Sequence, residues 1–267
     1  MYTARQLKAE LKKMNIPQDG TLLVHSSFKS MGEIEGGPQT VLDVLCDCVG
    51  DGLLVMPTHS WDTVGPDNAF FDPRSTPSCT GILGRLLLER KGAVRSIHPT
   101  HSLAVFGRDA EEFIAGEHLM TTPCARKGCM GKLLDRKAKI LFIGCDLSKN
   151  TFLHGVEEWC GIENRLGEEY TCFLTLNDGS TFIGSMQSHH APISDVSRNY
   201  VKMTQPFLQL GAAAEFTLGD AKCYLCDCGR MSRITNELLI VMPDLFLDDI
   251  PVPQHLIDDV KRGYYIP

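Results

Sequence analysis

With 267 residues and an apolar fraction of 43%, the chain is long enough to bury a sizeable core as one large α/β domain or two small ones. A formal charge of −7 leaves no basic footprint for nucleic acid, and no stretch reaches the roughly 18 to 20 apolar residues that a membrane span needs. The 11 cysteines are odd in number and scattered, and Met1 leads into TARQLKAELKKMN with no signal-like apolar region, so reduced thiols in a cytoplasm are expected.

Thr3 and Gln6 frame a capping box for a helix over TARQLKAELKKM. TLLVHSS reads as a buried strand ending in a polar turn. GGPQTVLDVLCDCVG reads as a helix with Pro38 near its start and Gly50 after its end, and GLLVMPTHS as a second buried strand. WDTVGPDNAFFDPRSTPSCTG is proline-rich and aperiodic, and is expected to be a loop. ILGRLLLERKG predicts a helix, AVRSIHPTHSLAVFG an irregular entry into a strand, DAEEFIAGEH and GKLLDRK short helices, and KILFIGC a further buried strand. EYTCFLTLNDGSTFIG alternates around Asn177-Asp178-Gly179-Ser180, which predicts an antiparallel hairpin. SRNYVKMTQPFLQLG is expected to be helical around a prolyl break, AKCYLCDCG a strand, and SRITNELLIVM the terminal helix. Strands alternating with helices through the first 160 residues predict a sheet covered on both faces. The hairpin then adds a mixed or antiparallel extension, all within a single domain over 1–267.

There is no GxGxxG after a strand, no Walker loop and no GxSxG elbow, so nucleotide dehydrogenases, phosphate-loop enzymes and ordinary esterases lose weight. CYLCDC holds Cys223, Cys226 and Cys228, and Cys46 and Cys48 could supply a second pair. Those two lie in a predicted helix, however, and inert buried thiols are the expectation.

Three predicted strands end in polar clusters: His25-Ser26-Ser27, Thr58-His59-Ser60, and Cys145-Asp146-Leu147-Ser148. In a sheet wound with helices on both faces, ligands bind outside the strand ends. VRSIHPTHS offers Arg95 as a planar charged fork, with Ser96, Thr100 and Ser102 as further donors, a combination suited to phosphate. In NTFLHGVEEW, His154 precedes Glu157 and Glu158 by three and four residues, so on a helix either carboxylate reaches the ring. A carboxylate at one ring nitrogen raises the basicity of the other, as a general base needs. A surface helix with a chance His–Glu pair satisfies the same spacing.

Taken together, LLVHSSFKSMGEIEGGPQTVLDVL, GLLVMPTHSW, TGILGRLLLERKGAVRSIHPTHSLAVFG, GKLLDRKAKILFIGCD and NTFLHGVEEW resemble the aminoglycoside N(3)-acetyltransferase family, YokD-like members included. The resemblance runs from about residue 3 to 245 and is strongest before residue 160. It implies a three-layer α/β/α sandwich with a mixed sheet and an antiparallel hairpin extension in the C-terminal half. It also implies transfer of an acetyl group from acetyl-CoA to a primary amine of an aminoglycoside or related compound, without a covalent enzyme intermediate and without a metal. His154 matches the family's base and Glu157 the acidic residue that follows it. Ser27, Thr80, Arg95 and Ser96 fall where the family contacts coenzyme A. His189 matches a histidine of one branch. In some members a later acidic residue partners the base, and Asp195 and Lys202 both fall in that region.

Asp62, Asp67, Glu157 and Glu158 are carboxylates for neighbouring ammonium groups of the acceptor, and backbone amides near His25 to Ser27 are expected to steady the oxyanion. Asp62, Glu158 and His189 form the expected acceptor side. The expected partners are a small-molecule amine and coenzyme A, with neither nucleic acid nor membrane, and a homodimer is admissible. Two other readings stay on the table. One is a metal-dependent hydrolase built on some of His98, His101, His154, Glu157, His189 and His190, although no HExxH pair is present. The other is a protein that binds coenzyme A without transferring from it.

Overall fold

A computed structural model describes residues 1–264. α1 (Ala4–Lys13) begins at the expected capping box. The Thr3 side chain accepts from the Gln6 N–H, and Gln6 Oε1 accepts from the Thr3 N–H at 2.9 Å. In chain order there follow β1 (Thr21–Ser26), α2 (Gly37–Val49), β2 (Leu53–Pro57), β3 (Phe70–Phe71), α3 (Ile82–Leu88), β4 (Val94–Arg95), β5 (Leu103–Gly107), α4 (Ala110–Ile114), α5 (Cys129–Asp135), β6 (Lys139–Ile143) and α6 (Thr151–Trp159). The second part holds β7 (Leu166–Thr175), β8 (Thr181–His189), a 3₁₀ segment (Val196–Met203), α7 (Thr204–Gln209), β9 (Ala213–Leu218), β10 (Ala221–Asp227), α8 (Cys228–Val241) and α9 (Gln254–Arg262). Among the described residues, no helix is long and apolar enough to cross a membrane.

Seven strands form one mixed sheet in the order β4-β5-β2-β1-β6-β10-β9, with β1 parallel to both β2 and β6 and the outer pairs antiparallel. The central strands are buried on both faces, which is why they read as continuous apolar runs rather than alternations. Leu22 and Val24 pack with Leu7, Leu11, Val41 and Leu45 of α1 and α2, whereas Leu23 packs with Phe113, Leu133, Phe152 and Val156 of α4, α5 and α6. The same alternation disposes of a zinc site at CYLCDC. Cys223 joins the core on the α1–α2 side and Cys226 and Cys228 the opposite one, so the three thiols cannot converge on one ion.

The hairpin forms where expected but does not extend the main sheet. β7 and β8 pair antiparallel, and β3, inside the stretch expected to be a loop, adds parallel to β7 with Phe70 opposite Phe173 and Phe71 opposite Leu174. This three-stranded sheet has its own small core of Val64, Phe71, Ile97, Cys172, Leu174 and Met186. Its turn is held by the Asp178 carboxylate, which accepts from the N–H and hydroxyl of Ser180, while Gly179 takes φ +85°. Two further elements were not foreseen: β9, an edge strand with one fully buried residue, and α9, an amphipathic helix that buries Ile257 and Val260.

Candidate active site

β1, β2 and β6 run parallel, so their C-terminal ends reach the same edge of the sheet. There the three polar clusters meet: His25, Ser26, Ser27, His59, Cys145 and Ser148 all line one cavity of about 1080 Å³. The loop after β2 and the segment following β8 supply the remaining walls, including Trp61, Thr80, His189 and Asp195. This volume stands at the upper end of the ~300–1,000 Å³ usual for small-molecule sites.

His154 lines the cavity from the first turns of α6, with 15% of its side chain exposed. Neighbouring Phe152, Leu153 and Val156 are buried in the core and hold the helix in place. The His154 ring does not hydrogen-bond Glu157 directly, because Nδ1 and Oε2 are 4.0 Å apart. The Tyr200 hydroxyl bridges them, 2.7 Å from Nδ1 and 2.5 Å from Oε2. Glu157 is fully buried, and its other oxygen accepts from Arg165 Nε at 2.5 Å.

Proton positions follow from this string. Both oxygens of Glu157 are acceptors, so the group is a carboxylate, although burial pushes it up while Arg165 and Tyr200 pull it back. Burial and the adjacent Glu157 hold the Tyr200 phenol well above its ordinary value, so it keeps its proton and donates it to Glu157. His154 Nδ1 must then carry the hydrogen that meets the Tyr200 oxygen, which leaves Nε2 as the basic atom. Burial lowers His154 to about 4, so the ring is neutral at neutral pH.

Other histidines crowd the same wall. His189 stacks on His154 with centroids 3.9 Å apart and meets His101 edge-on at 4.9 Å, and His101 lies 4.6 Å from His59. Burial lowers all of them, His25 to about 3. The Nε2 atoms of His25 and His59 are buried without a hydrogen-bond partner among the described residues, and both rings line the cavity.

Of the residues expected from sequence, Ser27, Thr80, His154 and His189 reach the cavity. Arg95 does not. Its guanidinium donates to Ser102 Oγ and to the carbonyls of Thr58, Pro73 and Thr76, and lies over the Phe71 ring, so every edge is committed inside the protein. The Ser96 hydroxyl is fully buried and accepts from the Leu103 N–H. Asp62 accepts from the Thr63 hydroxyl on an exposed loop and stays outside the lining. Glu158 turns away from the acceptor side. Its carboxyl accepts from the Cys124 N–H, and burial pushes it up to about 7. The Ser27 N–H goes to the Ile143 carbonyl at 2.8 Å and is not available to an oxyanion.

Tyr200 and Arg165 escaped the sequence reading. The signal for Tyr200 was its place on one face with Val196 and Met203, since a tyrosine buried on an apolar face needs a partner for its hydroxyl. A thiol, a carboxyl and an imidazole also come together behind His189, in Cys124, Glu158 and His189. The Cys124 sulfur is 3.7 Å from Nε2 and Glu158 Oε1 is 3.9 Å from Nδ1. One ligand atom of each residue lies within 4.8 Å of the other two, a spacing that an ion could bridge.

Residues 23–240 match the family model described as aminoglycoside 3-N-acetyltransferase. An aminoglycoside N(3)-acetyltransferase III of Salmonella sp is 27% identical over 251 residues, which cover 85% of this chain and 87% of that protein. Among solved structures, AAC-IIIb in binary complex with CoASH superposes with a TM-score of 0.79 at 22% identity, over 94% of this chain and 99% of the other. AAC-VIa bound to sisomicin superposes with a TM-score of 0.77 at 22% identity, over 90% and 98%. At that identity the structural likeness bears on the fold.

Proposed function

Because the chain belongs to the aminoglycoside 3-N-acetyltransferase family, we propose that it moves the acetyl group of acetyl-CoA directly to a primary amine, with His154 as general base. The frame is a three-layer α/β/α sandwich, acting as one catalytic unit in the cytoplasm, where acetyl-CoA is available. The observation that carries the reading is the string from Glu157 through Tyr200 to His154 Nδ1, which leaves Nε2 as the basic atom of a ring that lines the cavity.

An amine is largely protonated at neutral pH, and an ammonium cannot attack a thioester. The ammonium first gives one proton to solvent; His154 Nε2 takes a second as the nitrogen bonds to the carbonyl carbon, and the resulting imidazolium is steadied through Tyr200 by the Glu157 charge. The carbonyl oxygen becomes an oxyanion, a charge that hydrogen-bond donors of the wall would steady. As the oxyanion collapses, the carbon–sulfur bond breaks and the coenzyme A sulfur takes the proton from His154. Ser27, Thr80 and Lys149 line the cavity where coenzyme A would lie, the Thr80 hydroxyl itself donating to the Pro57 carbonyl, and a relative of the same fold is known with CoASH bound.

The test is acetyl transfer to a panel of amines, followed by mass spectrometry. His154→Ala is expected to lower kcat by ~10²–10⁴, the usual worth of a positioned base. Turnover near that of the native protein in this variant would remove His154 from the mechanism.

A further inference from the structure

We propose that Cys124, Glu158 and His189 hold a zinc ion, a structural site that pins the strand end carrying His189 to the core. One ligand atom of each residue lies within 4.8 Å of the other two. In tetrahedral zinc, with Zn–S about 2.3 Å and Zn–N about 2.0 Å, sulfur and nitrogen stand about 3.5 Å apart. Cys124 Sγ is 3.7 Å from His189 Nε2, close to that value. The carboxylate need close by only about 1 Å to complete the set, a small side-chain rotation. A thiolate with an imidazole selects a borderline-soft ion such as Zn²⁺ over Mg²⁺ or Ca²⁺.

A second observation points to a cation at the same place. The Glu158 side chain is only 6% exposed, yet among the described residues no Lys or Arg pairs with it, and its one ion-pair neighbour is His189 at 3.9 Å. Buried carboxylates are ordinarily paired with a cation or bound to a metal. The hydrogen bond from the Cys124 N–H at 3.0 Å orients this one but supplies no charge, and it leaves lone pairs free for a metal. Two of the three donors are also preorganised, because the Cys124 backbone is clamped to α6, its N–H on Glu158 and its carbonyl on Trp159 Nε1 at 2.8 Å.

The ligands come from three separate elements: the loop before α5, helix α6, and the last residue of β8. An ion there staples the small sheet to the body of the main one. His189 lines the cavity whereas Cys124 and Glu158 do not, so the ion lies on the inner side of the His189 ring. That ring stacks on His154, and fixing it fixes the surface against which the base rests. Three protein ligands leave one position of a tetrahedral ion for water or another small donor. The site is independent of the acetyltransferase reading, since metal binding is measured without any substrate.

The experiment titrates the reduced, chelator-treated protein with Zn²⁺ by calorimetry and with Co²⁺ by absorption spectroscopy. One ion per chain should bind with a Kd on the order of 1 µM or tighter, and Co²⁺ should give a thiolate-to-metal charge-transfer band. The near-isosteric variants Cys124→Ser and Glu158→Gln should each weaken Zn²⁺ by more than about 100-fold, since even outer partners of a metal are worth 10–100-fold. Cys124→Ser should also abolish the band, while Cys48→Ser and Cys160→Ser, at partly exposed thiols elsewhere, should leave binding unchanged. Zinc at 100 times its Kd should raise the melting temperature of the native protein by about 5 °C and that of Glu158→Gln far less. Failure to bind one ion per chain would overturn the proposal, and so would binding that survives Glu158→Gln undiminished, even if Cys124→Ser does not fold. Loss of binding in Cys48→Ser or Cys160→Ser would equally place the ion elsewhere.

Discussion

Tyr200 sets the proton on His154, and its contribution is separable from that of the proposed base itself. Tyr200→Phe keeps the ring and its packing against Phe246 but removes the hydroxyl that joins Nδ1 to Glu157. A hydrogen bond to a charged group is worth ~1.5–3 kcal/mol, so kcat should fall about 10- to 100-fold while KM for acetyl-CoA holds. A parallel fall in coenzyme affinity would place Tyr200 in substrate binding instead. Arg95 makes the opposite point. Its residue type suggested phosphate, yet its donors tie the Pro73–Thr76 turn to the end of β2, so Arg95→Ala should cost about 2–4 kcal/mol of stability in urea unfolding. The folded fraction should still bind acetyl-CoA, as calorimetry would record. His154 was legible because NTFLHGVEEW places it on a helix beside acids. Tyr200 was not, because 46 residues separate it from the base and only the folded chain joins them.

At the scale of elements, α6 holds its position through a close approach. A Cβ on Gly155 would lie 2.7 Å from a ring atom of Trp159 and 3.3 Å from the Cys124 Cβ. The indole is itself held by its N–H to the Cys124 carbonyl, so the ring has little room to yield. Gly155→Ala should therefore cost about 1–3 kcal/mol and lower the melting temperature in calorimetry. An unchanged melting temperature would show that the indole moves freely. Elements with a strong period, such as α1, α2 and the three parallel strands, were readable from local sequence alone. The separate sheet that the hairpin makes with β3 was not. Its partner β3 is two residues long and lies a hundred residues upstream, so its existence depends on pairing with β7 rather than on any pattern of its own.

For the whole molecule, burying so many neutral imidazoles makes stability depend on pH. His25, His59, His98, His101, His154 and His189 are all lowered by burial. Each takes a proton in the unfolded chain near pH 6.5 but resists it when folded. Their contribution is therefore complete above about pH 6.5 and is lost as pH falls toward about 4. Glu158, pushed up to about 7, opposes this by one proton, since the folded state takes it up first. Unfolding should therefore take up protons as pH falls from about 6.5 toward 4, and stability should fall across that window, with the raised Glu157 and Glu158 opposing the trend. Urea titrations between pH 7.5 and 5 measure it, and a flat profile would contradict the burial of these rings in neutral form.

Tyr200 belongs to the segment that begins at Val196, immediately after Asp195 and carrying Arg198, both of them part of the cavity wall. The hydrogen bond that selects the tautomer of His154 is thus also a latch on this wall of the cavity. On the proposed reading, turnover and acceptor choice share one mechanical linkage: a change that reshapes this wall for a new amine also pulls on the phenol, and selectivity is not retuned here without retuning rate.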